Sequence, residues 1–440
     1  MKRLDPNPVG LVLAAGIALA LLQQQLLLRR PPRLLELKST TASSGPAALD
    51  LRFSRPMQRS SLERSSALAP QLKGTWLGEG NPLRLLLLPQ QTIRGPLQLL
   101  LAGIDRRGLP LQRQRWHWDP RPRLLAVVPV SGGEQLQLQQ RDGRWQALGP
   151  VWPQLAEVRP LGDGSGVALL SGDGKGAHKL WLLPLEQQNL VREPASLRNP
   201  ITGKLTPLSD QPLLFAHLSS NRRGDLLVQA STTALEPGQT LLISSSGKRR
   251  RLDQDASGPI QLLPEGGAMV VPELEGLTLH SLPGEPGRRQ VLPGSRELSS
   301  FCPVSGRALL VRHWPDYRRS LELVEPGQPP RQLWIGSEAV LASACDRGGE
   351  RVWLVISDWR QGAQPQLLAL DRRGRLQRQR SLAGWEVEPG SAMAFDPTRQ
   401  LLLLTLRNRD GARPVLIDGH SLGLQPQAKS VRLALWLPAG

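Results

Sequence analysis

FCPVSGRALLVRHW at residues 301 to 314, followed across a loop by LELVEPG at 321 to 327, decides the fold. A short apolar start runs into a Pro/Ser/Gly turn and then an apolar strand, and the second phrase is another apolar strand ending in a glycine turn. From Leu124 onward the chain can be laid out as copies of this unit. The first paired apolar residues after each inner turn are Leu124, Ala168, Leu226, Met269, Leu309, Val352 and Leu401, at intervals of 44, 58, 43, 40, 43 and 49 residues. The second landmark recurs as LQLQQRDG (136 to 143), LLISSSG (241 to 247), LTLHSLPG (277 to 284), LLALDRRG (367 to 374) and VLIDG (415 to 419). LWLLPLE at 180 to 186 takes its place once, without a glycine.

Repeats of this length suit four short strands each. One such sheet alone leaves both faces unburied, whereas radial stacking buries each face on a neighbour and leaves only short edges. The expectation is an all-β chain whose residues 119–440 form a seven-bladed β-propeller. The terminal VRLALWLP at 431 to 438 either completes the seventh blade or joins the first, which Arg123 to Val128 would then begin one strand short. The 58-residue interval implies one extra rim loop at Val191 to Asp210, read as a tolerated insertion before a contact point. The architecture resembles TolB-like and WD-repeat propellers, whose blades often open with a phrase like S-P-D-G. Echoes of it stand at Asp396-Pro397, Asp346-Arg347-Gly348, Pro303-Val304-Ser305-Gly306 and Ser220-Asn221-Arg222-Arg223-Gly224, but the Gly-His and Trp-Asp pairs of WD repeats are absent in register.

Upstream, residues 47–118 differ in character. LDLRFSRPM at 49 to 57 alternates Leu49, Leu51 and Phe53 before Pro56, and LRLLLLP (83 to 89), LQLLLAG (97 to 103) and RQRWHW (113 to 118) read as later strands. LRFSRPM followed by SSLERS resembles the opening of the bacterial Ig-like (SbsA-type) module, with its phrase F-S-x-P-M. That likeness implies a small Ig-like β-sandwich, a spacer or adhesive unit with no catalytic residue to carry over. Residues 1–38 read as an N-terminal anchor, a transmembrane helix spanning about 9–28. Val9 to Leu22 is apolar, Lys2 and Arg3 precede it, and Gln23-Gln24-Gln25 weaken its far end. A cleaved signal peptide is the rival reading. STTASSGP at 39 to 46 reads as a flexible tether with nothing to bury. Basic residues flank both ends of the span, Arg29, Arg30 and Arg33 after it, and the positive-inside rule taken alone leans toward a cytoplasmic C-terminus; against that, the Ig-like and propeller resemblances imply soluble domains in the periplasm of a bacterial inner-membrane protein.

Composition agrees with a turn-rich β protein: 43 glycines and 40 prolines stand among 440 residues. The formal net charge of +18 favours anionic partners without choosing among them. Two basic clusters, Lys248 with Arg249, Arg250 and Arg251, and Arg372, Arg373 and Arg375, fall just after second landmarks and are the candidate anionic contacts. No aromatic interleaving or known module points to nucleic acid.

Chemical motifs are weak. Gly419-His420-Ser421-Leu422-Gly423 fits G-x-S-x-G, but no histidine follows and the position is a hairpin turn in the repeat register. Gly162-Asp163-Gly164-Ser165-Gly166 and Ser171 to Gly176 lack the Ser/Thr of a P-loop and the acids of a calcium loop, so two hairpin turns account for them. Six scattered histidines offer no metal spacing, and no cofactor is expected. Cys302 and Cys345 hold matching positions in adjacent repeats and read as small buried hydrophobes, with approach near the axis the alternative. The resulting expectation is a membrane-tethered, non-enzymatic binding or scaffolding protein whose propeller meets a protein or anionic ligand, an anionic membrane surface included. The alternative is a propeller hydrolase or lyase with its site over the central channel. Acids and histidines converging at the channel mouth would favour the enzyme.

Overall fold

The computed structural model describes residues 8–40, 42, 45–233, 238–287, 289–303, 306–358 and 364–440. Lys2, Arg3, three residues of the 39–46 stretch and Val304-Ser305 of the opening turn lie outside them. The chain packs as two compact units: residues 1–38, 48–86 and 97–116 form the first, and residues 39–47, 87–96 and 117–440 the second.

The first unit contains helix α1 (Pro8–Arg29), helix α2 (Arg59–Ser65) and short antiparallel strands. Ala48–Phe53 pairs with Leu83–Leu87, Leu49 facing Leu85 and Asp50 facing Arg84, and those two charges meet at 2.6 Å. Leu49, Leu51 and Phe53 are buried, as their alternation requires. The Asn81 amide exchanges two hydrogen bonds with the main chain of Phe53, closing the strand ahead of Pro56. SSLERS forms most of α2 and buries Ser61 and Leu62.

The expected transmembrane span at 9–28 needs correction. Among the described residues no helix is long and apolar enough to cross a membrane. The apolar run Val9 to Leu22 forms the helix but ends at three glutamines; at 1.5 Å per residue it covers about 21 Å, short of the ~30 Å hydrocarbon layer.

In the second unit, seven antiparallel sheets follow one another among the described residues. Each of the second to sixth begins with an innermost strand: Gln154–Pro160, Phe215–Ser220, Gln261–Leu262, Arg296–Phe301 and Ala339–Cys345. The seventh begins with Glu386–Val387 and Ala394–Asp396, both paired to Leu401–Asn408. The first sheet holds Arg123–Val130, Gly133–Gln139 and Trp145–Trp152, and its innermost strand is Leu433–Leu437 from the far end of the chain. Leu435 faces Leu125 and Leu437 faces Arg123, so the terminal strand joins the first sheet, the second of the two arrangements the sequence left open.

All seven repeat landmarks fall on the second strand of a sheet. That strand is covered on both faces, which is why it is apolar at consecutive positions. Gly166–Gly172 is buried throughout, whereas the outer strand Leu376–Ser381 is exposed throughout. Apolar clusters lie between every pair of consecutive sheets, for example Trp353 and Val355 of the sixth against Leu402 and Leu404 of the seventh. Leu124 and Ala126 of the first sheet pack with Leu403 of the seventh, so the series closes on itself. The extra residues of the second repeat supply the short pairings Ile201–Thr202 and Thr206–Pro207 on its third strand, and Leu190 and Val191 pair with Trp118 and His117. This closed ring of radial sheets is the β-propeller arrangement.

Candidate functional site

The two arginine clusters lie on different sheets and are not brought together. Arg249, Arg250 and Arg251 sit on the outer strand Arg249–Leu252 of the third sheet, opposite Ile243, Leu242 and Leu241. All three are exposed, and among the described residues none pairs with a carboxylate.

Arg372, Arg373 and Arg375 occupy the hairpin between Gln366–Asp371 and Leu376–Ser381 in the sixth sheet. Asp371 shapes the turn: one carboxylate oxygen accepts the main-chain N–H of Arg373 at 2.8 Å and of Arg375 at 2.9 Å, while the other meets the Arg375 guanidinium at 2.8 Å. Gly374 has φ +79°, and a Cβ there would stand 2.4 Å from the carbonyl of Leu333. Arg372 reaches back to Glu325 at 2.6 Å and Glu350 at 3.1 Å. Buried Glu325 also receives Arg307 at 2.9 Å and Arg331 at 3.5 Å. Burial alone would raise its pKa, but the Arg372 hydrogen bond and the surrounding guanidinium charges hold it below the usual carboxylate range. Arg331, Arg372, Arg373 and Arg375 line, with Glu350 and Asp371, a depression of about 670 Å³. Four cations against two carboxylates leave it basic. Sequence reasoning missed Arg307, Arg331 and Glu325, although Arg307, two residues before Leu309, and Glu325, in LELVEPG, stand beside landmarks.

A second cavity, of about 190 Å³, lies at the ends of the innermost strands. Gly162, Arg222, Pro303, Arg347 and Thr398 line it, each two residues beyond the end of such a strand, together with Phe395, Trp436 and Pro438 to Gly440. Ser39, Thr40, Pro46 and Ala47 complete the wall. The reading of 39–46 as a free tether is therefore corrected for its described residues. Ala42 is fully buried. The Arg347 guanidinium donates to the carbonyls of Ala42 at 2.5 Å and Pro46 at 3.0 Å, and the Ser39 hydroxyl joins Trp118 Nε1 and the Gly440 carbonyl, each at 3.1 Å. A stretch without apolar bulk still offers main-chain acceptors, and a buried guanidinium needs them. Burial, together with the like charge of Arg222, pushes the Arg347 pKa down to about 9. Arg222 is lowered by burial too, against the opposing charge of Glu265 at 2.8 Å. No histidine or carboxylate side chain is among the lining residues.

Ser421 lies in a hairpin turn with Leu422 at φ 59° and a strand, not a helix, beyond. Its hydroxyl donates to Asp418 at 2.8 Å, and the His420 ring meets Arg351 at 3.0 Å rather than Ser421. The glycine-rich stretches are hairpin turns in which Asp163 and Asp173 accept from nearby main-chain N–H groups. Among the described residues no three His, Cys, Asp or Glu side chains gather as metal ligands. On the innermost strand Gln154–Pro160, Glu157 stands 3.6 Å from Arg159; burial raises its pKa, against the opposing charges of Arg159 and His217.

Cys302 and Cys345 form a disulfide, with Cα atoms 5.2 Å apart. Reading them as separate buried hydrophobes is corrected: they follow or end the innermost strands of neighbouring sheets, so equivalent repeat positions become adjacent in space.

No family model and no curated protein match the chain. Among solved structures it is similar to TolB from Acinetobacter baumannii (TM-score 0.41, 14% identity, covering 87% of this chain and 86% of that one). It is similar also to a periplasmic gluconolactonase from Pseudomonas aeruginosa (TM-score 0.46, 17% identity, 72% and 99%). The propeller domain of the Trilobed protease from Pyrococcus furiosus matches at TM-score 0.45 and 10% identity, over 77% and 96%. What this chain binds or does is therefore argued from its own residues.

Proposed function

We propose that the protein is a non-enzymatic binding or scaffolding protein, a seven-bladed propeller that presents a basic surface to an acidic protein segment, with an Ig-like module ahead of it. The observation that carries this reading is the depression of about 670 Å³ lined by Arg331, Arg372, Arg373 and Arg375. Asp371 places the Arg375 guanidinium and Glu325 those of Arg331 and Arg372, and the four arginines outnumber the two lining carboxylates, which suits carboxylate recognition by paired donors. Arg249, Arg250 and Arg251 would extend the field that attracts such a partner. The disulfide supports a location outside the reducing cytoplasm, such as the periplasm. The test is fluorescence anisotropy with a labelled oligoglutamate peptide. Arg373→Glu/Arg375→Glu should weaken binding about tenfold or more and flatten its salt dependence. Unchanged affinity would overturn the reading.

One arrangement favours a second reading, a hydrolase or lyase with its site over the central channel: Glu157, on an innermost strand, has a carboxyl that accepts the Leu218 N–H at 3.1 Å and whose pKa burial raises, an environment that suits a general acid. That reading requires a hydrolytic or lyase activity that Glu157→Gln abolishes.

A further inference from the structure

The cavity at the channel mouth contains a cation without a matching anion. Arg347 donates to the carbonyls of Ala42 and Pro46, and its Nε is buried without a hydrogen-bond partner. Among the described residues no carboxylate lies within ion-pair distance of it. The acids nearby are already engaged: Glu265 with Arg222 at 2.8 Å, and Asp396 with Arg399 at 2.6 Å and the Thr398 hydroxyl at 2.6 Å. Two guanidiniums thus face a cavity whose remaining walls are mostly proline, glycine, alanine and aromatic side chains, with the Ser39 and Thr40 hydroxyls beside them. Carbonyl dipoles solvate a guanidinium but do not neutralise it, and a charge removed from water without a counter-charge is costly. The geometry favours an anion small enough for about 190 Å³, a volume that holds a few waters or one compact ion.

We propose that the channel mouth binds one small oxyanion between the guanidiniums of Arg347 and Arg222. This site is separate from the arginine-lined depression on the fifth and sixth sheets and does not depend on it. Such an anion would offset the like charge that Arg222 sets against Arg347. It would also steady Ala42 and Pro46, whose carbonyls accept from the same guanidinium.

Isothermal titration of the full-length protein with inorganic phosphate, at fixed ionic strength, tests the proposal. The expected result is one saturable site per chain, weakened about tenfold or more by Arg347→Gln, the weight of one charge-assisted hydrogen bond. Binding should survive in the Arg372→Gln/Arg373→Gln/Arg375→Gln variant. Acetate titrated in parallel tells whether a carboxylate or a tetrahedral oxyanion fits better. Absence of saturable binding by either ion, equal affinity in Arg347→Gln, or loss only in the triple variant would overturn it. Should Arg347→Gln fail to fold, wild-type crystals soaked in selenate decide: an anomalous peak between Arg222 and Arg347 is expected, and its absence refutes the site.

Discussion

Reducing the Cys302–Cys345 bond isolates one term in the stability of the ring, because both sulfurs stay in place and only the crosslink is lost. The bridge closes a loop with a sequence separation of 43. In the chain-entropy treatment such a loop restricts the unfolded chain by about 4 kcal/mol at 25 °C. Unfolding entropy runs at about 2.1 cal/mol/K per residue, or roughly 0.7 kcal/mol/K for a unit of this size, so the melting temperature should fall by about 6 °C. Residual structure in the unfolded chain makes that figure an upper bound. The Cys302→Ala/Cys345→Ala variant should fall somewhat further, since both positions are buried and lose sulfur contacts as well. Differential scanning fluorimetry with and without a phosphine reductant measures the first effect and the double variant the second. Titration of two free thiols in the denatured, unreduced protein would refute the reasoning, as would a melting temperature that reductant leaves within a degree.

Deleting residues 430 to 440 removes the innermost strand of the first sheet with buried Val431, Ala434 and Leu437, and should lower the melting temperature by on the order of 10 °C. Melting within a degree or two of the full chain would contradict closure by that strand. Ser421, whose hydroxyl is engaged by Asp418 while the neighbouring His420 ring meets Arg351, should remain unlabelled by a fluorophosphonate; labelling lost in Ser421→Ala would revive the hydrolase. For Asp119, burial raises the pKa but hydrogen bonding and charge from Arg121, with Arg141, outweigh it, so the folded pKa lies below the unfolded value of about 3.9. Its stabilisation is therefore present above that value and lost as pH falls through the folded pKa. Asp119→Asn should cost about 1–3 kcal/mol in denaturant melts at pH 7 and progressively less as the pH falls below about 3.9, and a cost that does not change with pH down to acid unfolding would refute the assignment.

The repeat was legible because the second strand of each sheet has no solvent face. A strand covered on both sides cannot alternate polar and apolar residues, so ALLV, VWLV and LLLL stand out at Leu309, Val352 and Leu401 wherever the chain is entered. Outer strands carry no such constraint: RLQRQR around Arg378 is fully exposed and gives no pattern of its own. Helix α2 was invisible for a related reason, since SSLERS is too short to display a 3.6-residue period. The disulfide was legible in principle. Cys302 and Cys345 lie one repeat apart, and residues at matching positions beside a common axis are neighbours whatever their type. Approach near the axis, the alternative to two separate buried hydrophobes, is the one the repeat register supports.

The arginines show where reading by stretches stops working. Runs of like charge draw notice, yet Arg249, Arg250 and Arg251 pair with no carboxylate among the described residues, while isolated Arg307, Arg331 and Arg347 are built into the structure as firmly as Arg372 and Arg375 of the second run. A guanidinium becomes structural when acceptors from several distant segments converge on it. Arg347 is the extreme case: its acceptors come from Ala42 and Pro46, 305 and 301 residues away in sequence. Those acceptors are main-chain carbonyls, which every residue carries and no composition advertises. Segments ahead of residue 119 therefore belong to the same compact unit as the ring. Ser39–Ala47 and Leu87–Pro96 pack with it, the latter through Ile93, whose N–H donates to the carbonyl of Thr398 at 2.7 Å beside the same cavity. A chain cut at 119 would keep every repeat landmark and every sheet's second strand, yet would lose both carbonyls that accept hydrogen bonds from Arg347 and the wall of the cavity beside it.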